Sequence, residues 1–252
     1  MNARQSSSRV SRFRPEGPVV MRPKWNNLLF LHWEMAPELI APMLPVGLEL
    51  DLFAGRAYVG LVPFQMANVC PRFVPDLGRF SHFYTRFPEL NVRTYVVRDG
   101  VPGVWFFSLD AASSLAVVFA RMWFKLPYFK ARMRMRQTQD GFDFWSKRLW
   151  PFPSRASCRV RFEPKGEALP ARPGSLDEFL VERYVLYSKR GEQLFRGRVG
   201  TSRIWCKAPT FRFCAKRICA RRALPSPSPS RTFCIRPAWM LKCGNWKNVE
   251  LL

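Results

Sequence analysis

The sequence predicts a mainly β protein, a curved sheet or barrel with two or three short helices. Apolar runs rich in β-branched and aromatic residues recur between turn residues, twice in the form of a hairpin. The few stretches of helical character do not alternate with the strands as parallel βαβ units require. A chain of 252 residues with 48% hydrophobic content is long enough to bury one large core.

The elements follow in order. Regular text opens at Met21 with "MRPKWNNLLFLHWEM", and a short helix starts near Pro37 and Glu38. A Pro-Val-Gly turn then leads to an apolar strand, a turn at Gly55 and a strand over 57–66, which together read as a hairpin. "FPELNVRTYVVRDGVPGVWFFSLDA" repeats the form, with strands around 90–97 and 104–109 joined by Asp99-Gly100. Residues 112–124 are apolar and free of Gly and Pro, so they predict a helix that Pro127 ends. Further strands are expected at 130–137, 142–145, 156–163 and 182–188, the last leading into "GEQLFRG". Between them "PGSLDEFLVERY" predicts a short helix with Ser175 as N-cap and Glu178 at the capping-box position.

The net charge of +23 would ordinarily suggest nucleic acid as partner, but it is concentrated at the ends. Residues 1–25 carry +5 and residues 199–252 carry +10, leaving +8 between them. Five of the seven cysteines, Cys206, Cys214, Cys219, Cys234 and Cys243, also lie after residue 199, with only Cys70 and Cys158 before them. No CxxC pair occurs and His32 and His82 are the only histidines, so neither a zinc site nor any other metal is expected. No apolar run approaches the ~18 residues of a membrane span, and the Ser/Arg-rich start lacks an apolar signal core. The expectation is a reduced, cytoplasmic protein without a membrane partner.

Residues 1–20 are polar, basic and turn-rich, and predict a disordered leader, with Met21 as an alternative start to Met1. After about Arg198 the strand pattern stops, yet Trp205, Phe211, Phe213, Trp239 and Trp246 are the wrong residues for disorder. Read from the third base of each codon, the genetic code permits "LLHSAGVDVEVWELE" from Phe233 onward, which alternates like a strand. Residues 199–252 are therefore expected to be an aberrant, frameshifted tail, whose charge is no guide to partners.

Five blocks, "KWNNLLFLHWEM", "LPVGLELDLFAGRAYVGLVPFQM", "FPELNVRTYV", "PGVWFFSLDA" and "LPYFKARM", resemble in order the uncharacterised DUF2071, or YqjF-like, family over about residues 21–198. The shifted ending "LLHSAGVDVEVW" is similar to that family's last strand. The resemblance implies a fold like that of acetoacetate decarboxylase, a mainly β, cone-shaped barrel around a pocket. That enzyme works through a Schiff-base lysine activated by desolvation or a cationic neighbour. In the matching stretch "FKLPYFKARM", Tyr128 and Phe129 stand where the decarboxylase has its two lysines, so the resemblance implies that the nucleophile is absent. Lys125 and Lys130 are nearby. Lys130 shares a face with Tyr128 and Arg132 if the strand has already begun there.

The stretch "ELNVRTYV" carries the pocket candidates. Period two places Glu89, Asn91, Arg93 and Tyr95 on one face, with Leu90, Val92, Thr94 and Val96 on the other. If the polar face points inward, Arg93 can take a carboxylate or phosphate in two hydrogen bonds while Glu89 orients it or exchanges a proton. If it points outward, it is a solvated face with a Glu89–Arg93 ion pair of little worth. Tyr128, His32 and Asp110 complete the ligand-binding candidates; His32 also reads as a buried structural histidine, and Asp110 as the N-cap of the following helix. No catalytic residue is assigned beyond the candidates Glu89 and Lys130. The expected function is a pocket that binds a small anionic organic molecule, without a cofactor and without Schiff-base chemistry, and whether it catalyses a reaction is open. The alternatives are a non-catalytic binding or interaction module and a nucleic-acid binder acting through the basic termini. Substrate and oligomeric state are not legible.

Overall fold

The structure is a computed structural model that describes residues 23–67, 86–150, 156–200, 205–216, 240–241 and 250–251. The leader 1–20, Cys70, His82 and, apart from 240–241, the shifted reading from Phe233 to Lys247 lie outside the described residues. The strands are β1 (Lys24–Asn26), β2 (Leu28–Leu29), β3 (Leu31–Met35), β4 (Glu49–Leu50), β5 (Ala57–Ala67), β6 (Phe87–Arg98), β7 (Val101–Ala111) and β8 (Tyr128–Gln137). They continue with β9 (Phe142–Trp150), β10 (Ser157–Pro170), β11 (Val185–Arg190), β12 (Gln193–Gly200), β13 (Trp205–Lys216), β14 (Met240–Leu241) and β15 (Glu250–Leu251). Among the described residues three α-helices accompany them, α1 (Pro37–Ile40), α2 (Ser114–Trp123) and α3 (Leu176–Val181), with a 3-10 turn at Ala41–Met43 after α1.

The strands form one sheet in the order β1-β5-β6-β7-β8-β9-β10-β13-β14-β2. β6 and β7 make the expected hairpin, closed by Asp99 and Gly100 at φ 52° and 72°, the left-handed pair that a two-residue turn between twisted strands requires. The first hairpin is different from the expectation. β4 pairs with β6 through Leu50 and Val96, and toward β5 only Phe53 and Arg56 bridge across Ala54-Gly55. Pro63 interrupts β5 where it does least harm: it falls between Leu61, which pairs with β3, and Gln65, which pairs with β1.

Several strands outrun their expected limits. β9 extends to Trp150, which pairs with Lys130 of β8, and β10 runs to Pro170 because it absorbs Pro164 and Gly166 next to a register shift between Lys165 and Leu169. β11 starts at Val185 instead of 182, since Glu182 still caps α3 through its N–H to Glu178. The sheet also continues past Arg198: β12 runs to Gly200, and β13 lies antiparallel to β10 from Trp205 to Lys216.

β7 is the branch point. One edge pairs with β6 along its length, while the other pairs in parallel with β11 at Val104 and Trp105 and with β8 at Leu109 to Ala111. Both faces of β5 and β6 are therefore buried. Leu61, Leu90 and Val92 on one face pack in one cluster with Phe144, Val160 and Phe162 of β9 and β10, so the sheet curls around that core. On the other face Tyr58, Val62, Phe87, Tyr95, Leu109 and Tyr128 pack with Val117 of α2 and Leu180 of α3.

Candidate functional site

The alternation expected in β6 holds: Tyr95 faces the helix-covered core, with Glu89, Asn91 and Arg93 at the same period-two positions, while Leu90 and Val92 face the curled core. The polar face is thus turned into the protein and covered by helices. A bulge preserves this arrangement, since the register skips Phe107 between the pairs Val92–Ser108 and Arg93–Phe106.

Helix α3 supplies the upper part of the site. Ser175 caps it as expected, its Oγ accepting from Glu178 N at 3.2 Å, while Glu178 Oε2 accepts from Gly174 N at 2.6 Å instead of from Ser175. The carbonyls of the last turn of a helix have no partner within it, and Leu180 O turns to β6. It accepts from Tyr95 Oη at 2.7 Å and from Arg93 Nη2 at 2.9 Å. Tyr95 has one hydrogen, and Leu180 O takes it. The 2.7 Å contact between His32 Nε2 and Tyr95 Oη is therefore donated by His32, so that Nε2 carries a hydrogen. Burial, and secondarily the Arg93 guanidinium, hold the His32 pKa well below its ordinary value, in keeping with a neutral ring.

Gly60 makes that contact possible. The register sets His32 opposite Gly60 and Gly60 opposite Arg93, and a Cβ on Gly60 would lie 2.9 Å from His32 Nε2 and 3.4 Å from Arg93 Cγ. Arg93 stacks on Phe30 at 5.0 Å and Tyr95 at 5.5 Å, and no carboxylate pairs with it among the described residues. A second guanidinium, Arg183, lies over Phe179 at 4.3 Å and is bound to Asp51 at 2.8 Å. Its pKa is lowered by burial first, with Arg93 adding to the effect and Asp51 opposing it.

The lower part of the site centres on Glu89, only 2% exposed. Tyr128 Oη donates to its Oε1 at 3.0 Å. Burial pushes the Glu89 pKa up to about 8, against the hydrogen bonds of Tyr128 and Asn91 and with help from Asp110, so at neutral pH the carboxyl is protonated. Asn91 lies close enough to favour the charged form, but Glu89 Oε2 makes no hydrogen bond of ordinary geometry. Three polar atoms in sequence along this face are buried without a partner: Glu89 Oε2, Asn91 Oδ1 and Arg93 Nε.

The remaining candidates fall elsewhere. Asp110 belongs to the opposite face, between Leu90 and Phe129 in register, where Arg148 Nε donates to it at 2.8 Å and stacks on Phe129 at 4.1 Å. Asp110 does not cap α2 either; Ser113 does, accepting from Ala116 N at 3.3 Å. β8 begins at Tyr128, so Lys130 does share its face, and its ammonium is given to Ala112 O. Tyr128 and Phe129, which the resemblance sets against the decarboxylase lysines, are a phenol bound to Glu89 and an aromatic ring under Arg148.

Sequence reasoning missed Gly60, Asp51, Arg183 and Arg148. Gly60, alone inside an apolar strand, is a signal of close backbone approach. Asp51 and Arg183 are separated by 132 positions, and nothing local connects them. Among the described residues no group of His, Cys, Asp and Glu could hold a metal ion, and no helix is long and apolar enough to cross a membrane. An open cleft of about 1280 Å³ lies not at this site but at the fork of β7, and its lining includes Phe106 and Leu126 of the helix-covered core.

Comparison with known proteins agrees with this fold. The family model of DUF2071, described as "Uncharacterized conserved protein", matches residues 22–235, past the limit of 198 expected from the sequence. The "Uncharacterized protein YqjF" of Bacillus subtilis (strain 168) is 39% identical over 181 residues, which is 72% of each chain. Among solved structures, the enduracididine biosynthesis enzyme MppR complexed with pyruvate is similar with a TM-score of 0.58, at 12% identity, over 94% of this chain and 90% of that one. Acetoacetate decarboxylase from Legionella pneumophila is similar with a TM-score of 0.54, at 13% identity, over 98% and 94%. At such identities these likenesses establish the acetoacetate decarboxylase-like fold and nothing more.

Proposed function

Because the chain belongs to the DUF2071 family and has an acetoacetate decarboxylase-like fold, we propose that it binds a small organic carboxylate on the helix-covered face of β6. The observation that carries this reading is the run of unpartnered buried atoms on Glu89, Asn91 and Arg93. Buried polar groups are nearly always hydrogen-bonded, and one strand face with three exceptions in sequence is a face prepared for another molecule. Arg93 adds a cation without a paired carboxylate, which favours an anion. Arg93 then holds the ligand carboxylate, Asn91 Oδ1 accepts from a ligand hydroxyl or amine, and the protonated Glu89 donates from Oε2 to a carbonyl oxygen. One protein of similar fold is complexed with pyruvate, a small keto acid that carries the anionic charge this reading requires. The reading includes no Schiff base, since Tyr128 and Phe129 replace the lysines.

Calorimetric titration of pyruvate tests it. Wild-type protein binds, Arg93→Met weakens binding by at least about ten-fold as a buried charge pair is lost, and borohydride traps no adduct. Binding unaltered by Arg93→Met overturns the site, and a reduced adduct on Lys130 overturns the exclusion of Schiff-base chemistry.

A further inference from the structure

The open cleft of about 1280 Å³ is built where β7 loses one neighbour and has not yet gained the next. Between its pairing with β11 at Trp105 and with β8 at Leu109, that edge of β7 meets no strand among the described residues. The gap is lined by Leu126 and by the aromatic rings of Trp105, Phe107, Phe129 and Trp150, and Trp150 remains 49% exposed. Every charged side chain in its lining is cationic: Arg121, Lys125, Lys189 and Arg190. Lys189 is paired with Glu192 at 3.1 Å, but Lys125, whose ammonium donates to Met122 O, and Arg190 make no ion pair among the described residues. Arg121 is fixed at the wall by its bond to Tyr128 O at 2.7 Å and stacks on the Trp150 ring at 4.9 Å.

We infer that this cleft is a second ligand site, distinct from the β6 face, and that its ligand is an aromatic carboxylate. Flat aromatic walls favour a flat apolar body by stacking, and a lining whose charged side chains are all cationic selects an anionic end group. The ligand's rings lie between Trp105 and Trp150, and its carboxylate meets Lys125 and Arg190. Lys125 has φ 56°, a left-handed position that Asp accepts readily, so a charge reversal there keeps the backbone.

The probe is 2-naphthoate, followed by quenching of tryptophan fluorescence in the full chain, with 2-naphthamide as the uncharged comparison. The expected result is saturable binding of 2-naphthoate that Lys125→Asp with Arg190→Glu weakens by about ten-fold or more, at an unchanged melting temperature. The amide binds more weakly to the wild type and is indifferent to the reversal. Arg93→Met leaves 2-naphthoate binding intact, which separates this site from the carboxylate site proposed above. The inference is overturned if 2-naphthoate does not bind, if the reversal leaves its affinity unchanged, if the amide binds equally well, or if Arg93→Met alone abolishes binding.

Discussion

Glu89→Gln gives the buried carboxyl a measurable signature. Glu89 has its pKa raised from 4.5 to about 8 by burial. Between those values the folded state keeps a proton that the unfolded state releases, so stability present below pH 4.5 is lost progressively as pH rises toward 8. At about 1.4 kcal/mol per pH unit the whole loss is about 5 kcal/mol, of which about 2 kcal/mol falls between pH 6 and 8. For a domain of this size that corresponds to a fall in melting temperature of roughly 4–8 °C over that interval. Gln has the same shape, keeps an acceptor for the Tyr128 hydroxyl and does not titrate. His32 acts in the other direction, its lowered pKa costing stability below about pH 6.5, but it is common to both proteins and cancels in their difference. Thermal melts of wild type and Glu89→Gln from pH 6 to 9 should therefore diverge, the variant gaining on the wild type as pH rises. Parallel curves would refute a buried, protonated Glu89.

Two further outcomes follow from the packing. Gly60→Ala places a methyl group 2.9 Å from His32 Nε2, which forces His32 off Tyr95; a cost of about 1–3 kcal/mol in urea unfolding is expected, together with loss of pyruvate binding. Arg148→Met strands Asp110 in the core without its partner and should cost about 3–5 kcal/mol, whereas adding Asp110→Leu should recover part of that loss. A double-mutant cycle by chemical denaturation measures both. Arg148 and Asp110 lie on the face away from β6's polar row, so pyruvate affinity should survive their joint replacement.

Periodicity made the polar face of β6 legible, because Glu89, Asn91, Arg93 and Tyr95 alternate without interruption. What it left undecided was the side on which that face is buried, since both sides of β6 are covered and only the tertiary arrangement of α3 and β9 distinguishes them. Asp110 reads from the sequence as a ligand-binding candidate or an N-cap, yet its register with Leu90 and the distant Arg148 set it on the other face. Turn chemistry found the Asp99-Gly100 hairpin, whose two positive φ values are written in its residues. The pairing of β4 with β6 and the fork of β7 have no comparable local mark, because they depend on strands far apart in the chain.

The most direct measurement is a crystal structure of the protein soaked with pyruvate. The account predicts pyruvate on the helix-covered face of β6, its carboxylate within hydrogen-bond distance of Arg93 Nε and its carbonyl oxygen beside Glu89 Oε2. Pyruvate bound only elsewhere, with water or a rearranged Asn91 satisfying those three atoms, would contradict it.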